Sequence, residues 1–366
     1  IHRLAHRKFA KKNPFGRILN LLSFYDACRK YLHSSELAAD VVVSETDPFL
    51  LPIAGMRYAE RVGAKHCIYL QDIYPDVAEA VGKVRLPLLA RFVRRRLRKA
   101  YRRASRVVVL GGCMRKRLED APWSIAPEII QIIPNWSDCE RVVPIDHKDN
   151  DFRQGLNLSD SFVVMHSGNM GLTQRLDVLI RAANDPAWPP KAKLLLVGNG
   201  ASRDHLLAVA AETNSPPERV EFVNYQPRNR LAESLSAADI HVVSMHENIV
   251  GCLCPSKLYG IMAAGRPVIA IADAKTDLCQ TVMERDLGWC VAPGSPPAIA
   301  QAVAAAYQEL GSPNGNAQDQ VASLKSRTRS IAVNEYDRPI VIHRFAEMLR
   351  DVLDGARLNN DAAMTR

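Results

Sequence analysis

Short apolar runs alternate with amphipathic stretches along most of this chain, and the alternation predicts β-strands connected by α-helices. In the first third of the chain the predicted strands are Val41–Val43, His66–Leu70 and Val107–Leu110, with a helix over Leu50–Val62. The strands predicted later are Phe162–His166, Ala192–Val197, Val220–Phe222, Ile240–Ser244 and Val268–Ala272. The helices predicted between them are Leu176–Ala183, Arg203–Glu212, Leu231–Ala237 and Ser256–Ala264. Strands separated by helices pair in parallel, so the sequence predicts an α/β fold with parallel sheets.

The length of 366 residues exceeds what one hydrophobic core usually covers, so we expect two domains. A polar stretch over Asp146–Asp151 separates the two series of strands and is typical of a solvated interdomain linker. The predicted domains cover residues 1–144 and 145–335, followed by a C-terminal helix and tail over residues 336–366. We expect Gly311–Gln318 to form a short polar loop.

The composition favours a cytoplasmic protein. No apolar run reaches the roughly 18 residues that a spanning helix needs, and the first residues form no apolar secretion signal. The eight cysteines lack the spacing of a metal site, and we predict that they are buried, reduced thiols. Cys252 and Cys254 would suit a metal only with further ligands, and no nearby His or Cys supplies them.

The net charge of +9 is concentrated in one segment of the first domain. Leu89, Phe92, Val93, Leu97 and Ala100 recur there at helical spacing, which predicts an amphipathic helix. Its basic residues are Arg91, Arg94, Arg95, Arg96, Arg98, Lys99, Arg102 and Arg103. Such a helix suits an anionic lipid surface, which we expect Arg94, Arg95, Arg98 and Arg102 to contact, although a solvated face of an ordinary helix explains the same pattern. Nucleic acid is disfavoured as a partner, because aromatic residues are sparse among the arginines.

The segment from Cys254 to Ala270 is the most informative part of the chain. A predicted helix begins there at Ser256-Lys257 and ends at Gly265-Arg266-Pro267, directly before a predicted strand. We expect the Ser256 hydroxyl to cap the helix, which would leave backbone N–H groups and the Lys257 ammonium for an anion such as a nucleotide diphosphate. An ordinary helix–strand joint accounts for the same small residues.

This segment resembles the donor-site helix of retaining, nucleotide-sugar-dependent glycosyltransferases with the GT-B fold. Five further motifs follow the order seen in the branch that builds bacterial capsule, O-antigen and colanic-acid type polysaccharides. They are Gln71–Asp76, Ile133–Asp138, His166–Gly171, Leu196–Gly200 and Ala238–His241. The resemblance runs from about Phe9 to about Leu353.

The resemblance implies two Rossmann-like domains with parallel sheets that face a cleft, the first on the acceptor side and the second binding the donor. It also implies that the first domain is incomplete, because a full domain would open with further strands and a Gly-rich loop. No metal or other cofactor is expected, since helix termini and basic side chains neutralise the leaving diphosphate in this fold. Asp149-Asn150-Asp151 superficially matches the Asp-x-Asp metal motif of the other glycosyltransferase architecture, but we interpret it as linker.

Several donor-binding positions are implied by the same motifs. They are Gly168, Asn169, Gly171, Gly198, Asn199, Tyr225, Glu247, Ser256, Lys257 and Arg266. Glycines allow close backbone approach to phosphate, although a tight turn explains Gly168 and Gly171 equally well.

The chain departs from many relatives at this site. An Arg and a Lys of the family are replaced by Asn169 and Gln174, which would place more of the diphosphate neutralisation on Lys257 and Arg266. Both members of a Glu-x₇-Glu pair that binds ribose are absent, and Glu247 is our candidate substitute. An exposed loop glutamate is the alternative.

On the acceptor side, Gln71-Asp72 occupies the place of a His-Asp pair found in other retaining enzymes. We expect Asp72 or Asp76 to orient or deprotonate the acceptor hydroxyl, with helix capping as the competing interpretation. The sequence thus predicts a glycosyltransferase, peripheral at the inner face of the cytoplasmic membrane. It would move a sugar from a UDP- or GDP-linked donor to a lipid-linked glycan precursor. The alternatives are a nucleotide-sugar 2-epimerase of the same fold and an inactive binding or scaffold protein.

Overall fold

The computed structural model describes residues 1–7, 9, 14–82, 86–311 and 315–355. The chain divides into two compact units. Unit 1 comprises residues 1–134, 251–254 and 343–366, and unit 2 comprises residues 135–250 and 255–342. The first division therefore falls after Pro134 rather than near residue 144. Residues 356–366 of the predicted tail lie outside the described part of the chain.

Unit 1 is built on a four-stranded parallel sheet with the order β1-β2-β3-β4. Its elements are α1 (Pro14–Ser34), β1 (Val41–Glu45), α2 (Leu51–Val62), β2 (Lys65–Tyr69), α3 (Asp76–Ala80), α4 (Pro87–Arg103), β3 (Arg106–Val109), α5 (Gly112–Glu119) and β4 (Ile130–Ile132). The three predicted strands are present, and β4 is an additional one that pairs with β3. Only three residues form β4, which is too short for a periodicity signal.

Unit 2 is built on a six-stranded parallel sheet with the order β10-β9-β8-β5-β6-β7. Its strands are β5 (Phe162–Ser167), β6 (Ala192–Val197), β7 (Val220–Val223), β8 (Ile240–Ser244), β9 (Val268–Ile271) and β10 (Gly288–Val291). Its helices are α6 (Asp151–Gly155), α7 (Leu176–Ala183), α8 (Arg203–Glu212), α9 (Leu231–Ser236), α10 (Lys257–Ala263), α11 (Asp277–Glu284), α12 (Pro296–Leu310) and α13 (Gly315–Glu335). The last helix of the chain is α14 (Arg338–Asp354).

Apolar side chains are buried on both faces of the unit 2 sheet. One cluster places Val164, Leu194, Leu196 and Ile240 of the sheet against Leu179 of α7. A second cluster on alternate strand positions includes Val163, Met165, Leu195 and Val197. Burial of both faces explains why these strands appear in the sequence as unbroken apolar runs. The predicted α/β fold class is thereby confirmed.

Two loop predictions are wrong. Helix α13 begins at Gly315, within the predicted loop Gly311–Gln318, whose residues 312–314 lie outside the described part of the chain. In the predicted solvated linker, Asn150 is fully buried. Its Oδ1 accepts a hydrogen bond from the Arg153 backbone N–H at 2.9 Å, and its Nδ2 donates to the Glu233 carbonyl at 2.8 Å. A polar residue that caps a short helix is buried here because both of its groups are satisfied.

The prediction of reduced thiols is wrong for one pair. Cys279 in the first turn of α11 and Cys290 in β10 form a disulfide, with their Cα atoms 5.7 Å apart. The two residues meet because α11 leads directly into β10, which pairs in parallel with β9. The remaining cysteines take no part in this disulfide, and Cys28, Cys67, Cys139 and Cys252 are buried as predicted.

Helix α4 is present, and its predicted apolar positions divide between buried and exposed ones. The buried residues of the helix are Ala90, Leu97, Ala100 and Tyr101. Tyr101 stacks on Trp123 with ring centroids 5.2 Å apart, and both side chains are fully buried. Leu89 and Phe92, which belong to the same apolar spacing, are 55% and 54% exposed. The stacking of Tyr101 on Trp123 determines which side of α4 is buried.

Candidate functional site

The centre of the unit 2 sheet is a topological switch point. From β5 the chain proceeds outward through β6 and β7, and it then returns to β8 on the opposite side of β5. In open parallel sheets, ligands bind outside the carboxyl ends of the strands at such a point. The loops after β5 and β8 flank this position.

Lys257, the first residue of α10, lies beside the carboxyl end of β5. Its Nζ is 2.9 Å from Nε2 of His166 and donates to the Asn169 carbonyl at 3.0 Å. The helix that begins here is not capped as predicted, because the Ser256 side chain accepts no capping hydrogen bond. Ser256 has helical backbone angles, a conformation in which the N-cap bond to the first turn is not made.

Lys257 is a partly buried cation with no acidic partner. Among the described residues no carboxylate oxygen lies within 4.0 Å of its Nζ, and burial lowers the pKa of Lys257 to about 7. An ammonium has three N–H donors, of which two contact His166 and Asn169. The third is available for a ligand, and an anion would restore the charge that burial disfavours.

Glycines in the loops after β5 and β6 allow close packing around Lys257. Gly168 has φ +121°, and a Cβ there would lie 2.9 Å from Lys257 Cε. Gly198 has φ +135°, and a Cβ there would lie 2.0 Å from the Gly168 carbonyl oxygen. Both positions combine a left-handed backbone with a close approach, so glycine is required at each of them. The loops after β5 and β6 are thus packed directly against each other.

Other predicted donor positions lie around the same loops. Asn169 and Asn199 are exposed, and the exposed Tyr225 donates its hydroxyl to the Asn199 carbonyl at 3.1 Å. Gly171 is held by its backbone N–H, which donates to Gln174 Oε1 at 2.6 Å. These residues follow β5, β6 and β7, so the structure brings the carboxyl-end loops of three adjacent strands together.

Glu247 is already engaged by a basic side chain. Nη1 of Arg175 lies 3.2 Å from one of its carboxylate oxygens. Arg175 has φ +48° and also contacts Asp177 at 3.3 Å. The pair connects the loops after β5 and β8. A ribose contact from Glu247 would therefore share its carboxylate with Arg175, a partner that the sequence pattern did not reveal.

Arg266 lies away from the phosphate-facing position predicted for it. The side chain is 4% exposed, and Nη2 donates to the Ile145 carbonyl at 2.7 Å. Burial lowers the pKa of Arg266 to about 10. Because it follows the left-handed Gly265 (φ +62°) at the end of α10, its side chain is directed into the core near the start of unit 2. The structure thus gives Arg266 a packing role.

In unit 1, two aspartates that are four residues apart have opposite environments. Asp76 is 5% exposed and accepts hydrogen bonds from Arg94, Arg117 and Trp123 at 2.8–3.1 Å. Its carboxylate is saturated, so Asp76 holds α3, α4 and α5 together rather than reaching a substrate. Neither residue caps a helix, since α3 has no side-chain cap.

Asp72 has no basic partner among the described residues. It lies in the loop after β2, where its backbone bridges to Leu253. Burial, together with the nearby Asp47 carboxylate, raises the pKa of Asp72 to about 6. A carboxyl group with this pKa is a suitable general base near neutral pH. The sequence pattern does not identify Asp47, which follows β1, because it carries no sign that the loops after β1 and β2 meet.

Within the described ranges, no group of three His, Cys, Asp or Glu side chains is arranged to hold a metal ion. No helix in the same part of the chain has both the length and the apolar character to cross a bilayer.

Comparison with known families matches the unit that carries the switch point. Residues 161–309 match the family model described as "Glycosyl transferases group 1". This range begins just before β5 and ends within α12, so it contains the whole six-stranded sheet. The match therefore covers the loops after β5, β6, β7 and β8.

Two curated relatives extend the similarity over most of the chain. WbjE from Pseudomonas aeruginosa, named as a glycosyltransferase, is 27% identical over 337 residues, which cover 89% of this chain and 78% of WbjE. WcaI from Escherichia coli, named as a colanic acid biosynthesis glycosyl transferase, is 26% identical over 313 residues, covering 83% of this chain and 72% of WcaI.

Solved structures agree on the architecture. Sucrose-phosphate synthase from Thermosynechococcus elongatus has a TM-score of 0.75 at 18% identity, covering 96% of this chain and 83% of its own. The chain has the GT-B glycosyltransferase fold. HepE from Anabaena, solved in complex with UDP, has a TM-score of 0.69 at 17% identity, covering 94% of this chain and 85% of its own. At these identities the two structures show the fold alone, and the sequence matches show similarity to bacterial glycosyltransferases.

Proposed function

We propose that this protein transfers a sugar from a nucleotide diphosphate sugar to a lipid-linked glycan precursor in surface polysaccharide biosynthesis. The observation that carries the proposal is Lys257, a cation at the switch point of the unit 2 sheet that pairs with no carboxylate among the described residues. The HepE complexes with UDP and UDP-glucose support a uridine nucleotide as the first donor to test. A guanosine nucleotide is the second.

The donor diphosphate would lie against the loops after β5 and β6. Gly168 and Gly198 present backbone without a side chain at these two positions, and Lys257 would neutralise charge on the leaving diphosphate. Neutralisation by a lysine and backbone N–H groups requires no metal ion in the mechanism. Retention of the anomeric configuration follows from the resemblance to retaining enzymes.

The acceptor hydroxyl would be oriented or deprotonated by Asp72. Its raised pKa leaves the carboxylate ionised above about pH 6, where it can take a proton. Asp76 has no such role in the proposal, because its lone pairs are occupied by two arginines and a tryptophan.

The first test is a donor screen. Thermal shift measurements with common nucleotide sugars should identify one that stabilises the protein, since a ligand that binds only the folded state raises its melting temperature. The stabilising sugar nucleotide should then release nucleotide diphosphate when glycan-precursor lipids are added. Conversion of the sugar to its 2-epimer without a glycolipid product would identify an epimerase. Neither binding nor turnover would support a scaffold protein.

We further propose that α4 brings unit 1 to an anionic membrane. Its outward face, here called the α4 surface, exposes apolar Leu86, Leu88, Leu89 and Phe92 beside basic Arg91, Arg95, Arg96 and Lys99. Leu88 is 81% exposed, and the Arg96 guanidinium lies 5.0 Å from the centroid of the Phe92 ring. Apolar side chains mixed with cations on one helix face suit the headgroup region of an anionic bilayer.

The α4 surface includes only one of the four arginines that the sequence predicts to contact the membrane. Of these, Arg95 is exposed, whereas Arg94 is 17% exposed and pairs with Asp76 and Glu79. Arg98 is half-buried, and Arg102 donates to the Ser124 carbonyl at 3.0 Å. Arg94 and Arg102 thus also form contacts within unit 1, and helical periodicity does not predict these contacts.

Arg95→Gln is expected to weaken binding to anionic vesicles about fivefold at low salt, since each basic residue near such a surface contributes about 1 kcal/mol. Lys191→Gln removes the same charge from an exposed position before β6 and should leave vesicle binding unchanged. Co-sedimentation with anionic and neutral vesicles measures both. Equal partition of the parent protein onto the two kinds of vesicle would contradict a membrane role.

A further inference from the structure

His166 is the first residue of the His166–Gly171 motif, and the proposed chemistry gives it no role. It is the penultimate residue of β5 and is 0% exposed. Its Nε2 lies 2.9 Å from Lys257 Nζ, although 91 residues separate the two in sequence. A buried histidine in the middle strand of a sheet normally has both ring nitrogens bonded or is replaced by an apolar residue.

The contact fixes the protonation state of the ring. An ammonium can only donate, so Nε2 must accept, and the proton of the neutral ring must be on Nδ1. Burial and the charge of Lys257 both lower the pKa of His166 well below its usual 6.5, with a smaller contribution from the buried His241. The ring is therefore neutral near neutral pH.

The other ring nitrogen contributes little to stability. Nδ1 has no hydrogen bond of normal geometry among the described residues, although backbone groups of Asn169 and Val242 act on the ring and partly raise its pKa. A buried polar group without a good hydrogen bond is costly, so the ring is not retained for stability through Nδ1. The Nε2 contact to Lys257 is what distinguishes histidine from an apolar side chain at this position.

We propose that His166 is a positioning residue that holds the Lys257 ammonium between the loops after β5 and β6, ready for the donor diphosphate. The role rests on the proposed function, since it acts through Lys257. With the Asn169 carbonyl as the second acceptor, the neutral imidazole restrains two of the three ammonium donors. An acceptor without charge suits this task, because a carboxylate in the same place would neutralise Lys257 and compete with the phosphate.

A matched pair of variants tests the role. His166→Gln and His166→Met have similar length and flexibility, but only glutamine offers an oxygen acceptor to Lys257. We expect His166→Met to weaken UDP binding about fivefold at pH 6 and to move the decline in affinity with rising pH to lower pH. His166→Gln should restore most of the affinity and the parental pH profile. Equal affinities and pH profiles for the two variants would overturn the proposal.

A measurement on the parent protein separates this inference from the proposed function. Nitrogen-15 NMR of the imidazole at pH 6, assigned by the signals lost in His166→Gln, reports the tautomer without any ligand. We expect Nδ1 to carry the proton, Nε2 to be an unprotonated acceptor, and the ring not to titrate between pH 5.5 and 8. A proton on Nε2 at pH 6 would overturn the inference even if UDP binds. Failure of UDP to bind would instead contradict the proposed donor, whatever the tautomer.

Discussion

Asp72→Asn is expected to lower turnover about a hundredfold while leaving nucleotide binding nearly intact. Positioned general bases contribute about 10²–10⁴-fold to a rate, and asparagine keeps the shape of the side chain without its proton affinity. The structure supports the choice of Asp72, since its carboxyl group has a pKa near 6 and no basic partner among the described residues. Steady-state kinetics with a saturating donor would measure the loss.

Two neighbouring aspartates provide controls for this variant. Asp76→Asn should lower the melting temperature, because it weakens the contacts with Arg94 and Arg117. Asp47→Asn should retain activity and move the acid side of the pH profile to lower pH, since the Asp47 charge helps to raise the pKa of Asp72. If Asp72→Asn instead loses stability and keeps its turnover, Asp72 is a structural residue and the base must be sought elsewhere.

Lys257→Ala is expected to weaken nucleotide diphosphate binding at least tenfold. Hydrogen bonds to charged groups contribute about 1.5–3 kcal/mol, and within the described part of the chain no carboxylate pairs with this lysine. Lys193→Ala is a matched control in the same sheet, because Lys193 pairs with Glu221 across β6 and β7 and lies outside the carboxyl-end loops. Calorimetric titration with UDP or GDP measures both variants. Parental affinity in a folded Lys257→Ala protein would remove Lys257 from the site.

The two shifted pKa values together predict a bell-shaped pH dependence of kcat/KM. Asp72 must be ionised, so activity should fall as the pH drops through about 6. Lys257 must be protonated, so activity should also fall as the pH rises through about 7. The optimum should lie between these values. Lys257→Ala should remove the alkaline limb, and Asp72→Asn should remove the acid limb.

Much of the fold was predictable from the apolar runs. The strands on either side of Lys257 are buried on both faces, so each appears as a continuous apolar segment bounded by polar or small residues. The position of Lys257 at the start of a helix before a strand followed from that pattern. Its contact with His166 did not follow from the pattern. His166 appears in the sequence as an ordinary strand residue, and it lies 91 positions away from Lys257.

The roles of Asp72 and Asp76 could not be separated in the sequence for the same physical reason. The partners of Asp76 lie 18, 41 and 47 residues away, in α4, in α5 and at Trp123. Likewise, periodicity correctly predicted α4 but not which leucines it buries. That choice depends on Tyr101 near the end of α4, which stacks on Trp123. Local patterns specify elements, whereas the environment of a charge depends on which elements pack together.

Proton uptake on nucleotide binding tests most directly the claim that Lys257 contacts the diphosphate of the donor. At pH 8, Lys257 is largely neutral in the free protein, and a bound diphosphate should restore its charge. The nucleotide's terminal phosphate, with a pKa of about 6, is already ionised and contributes little. Calorimetry of UDP or GDP binding in two buffers of different ionisation enthalpy should therefore show uptake of up to about one proton by the parent and none by Lys257→Ala. Identical binding heats for the parent in both buffers would contradict a phosphate contact by Lys257.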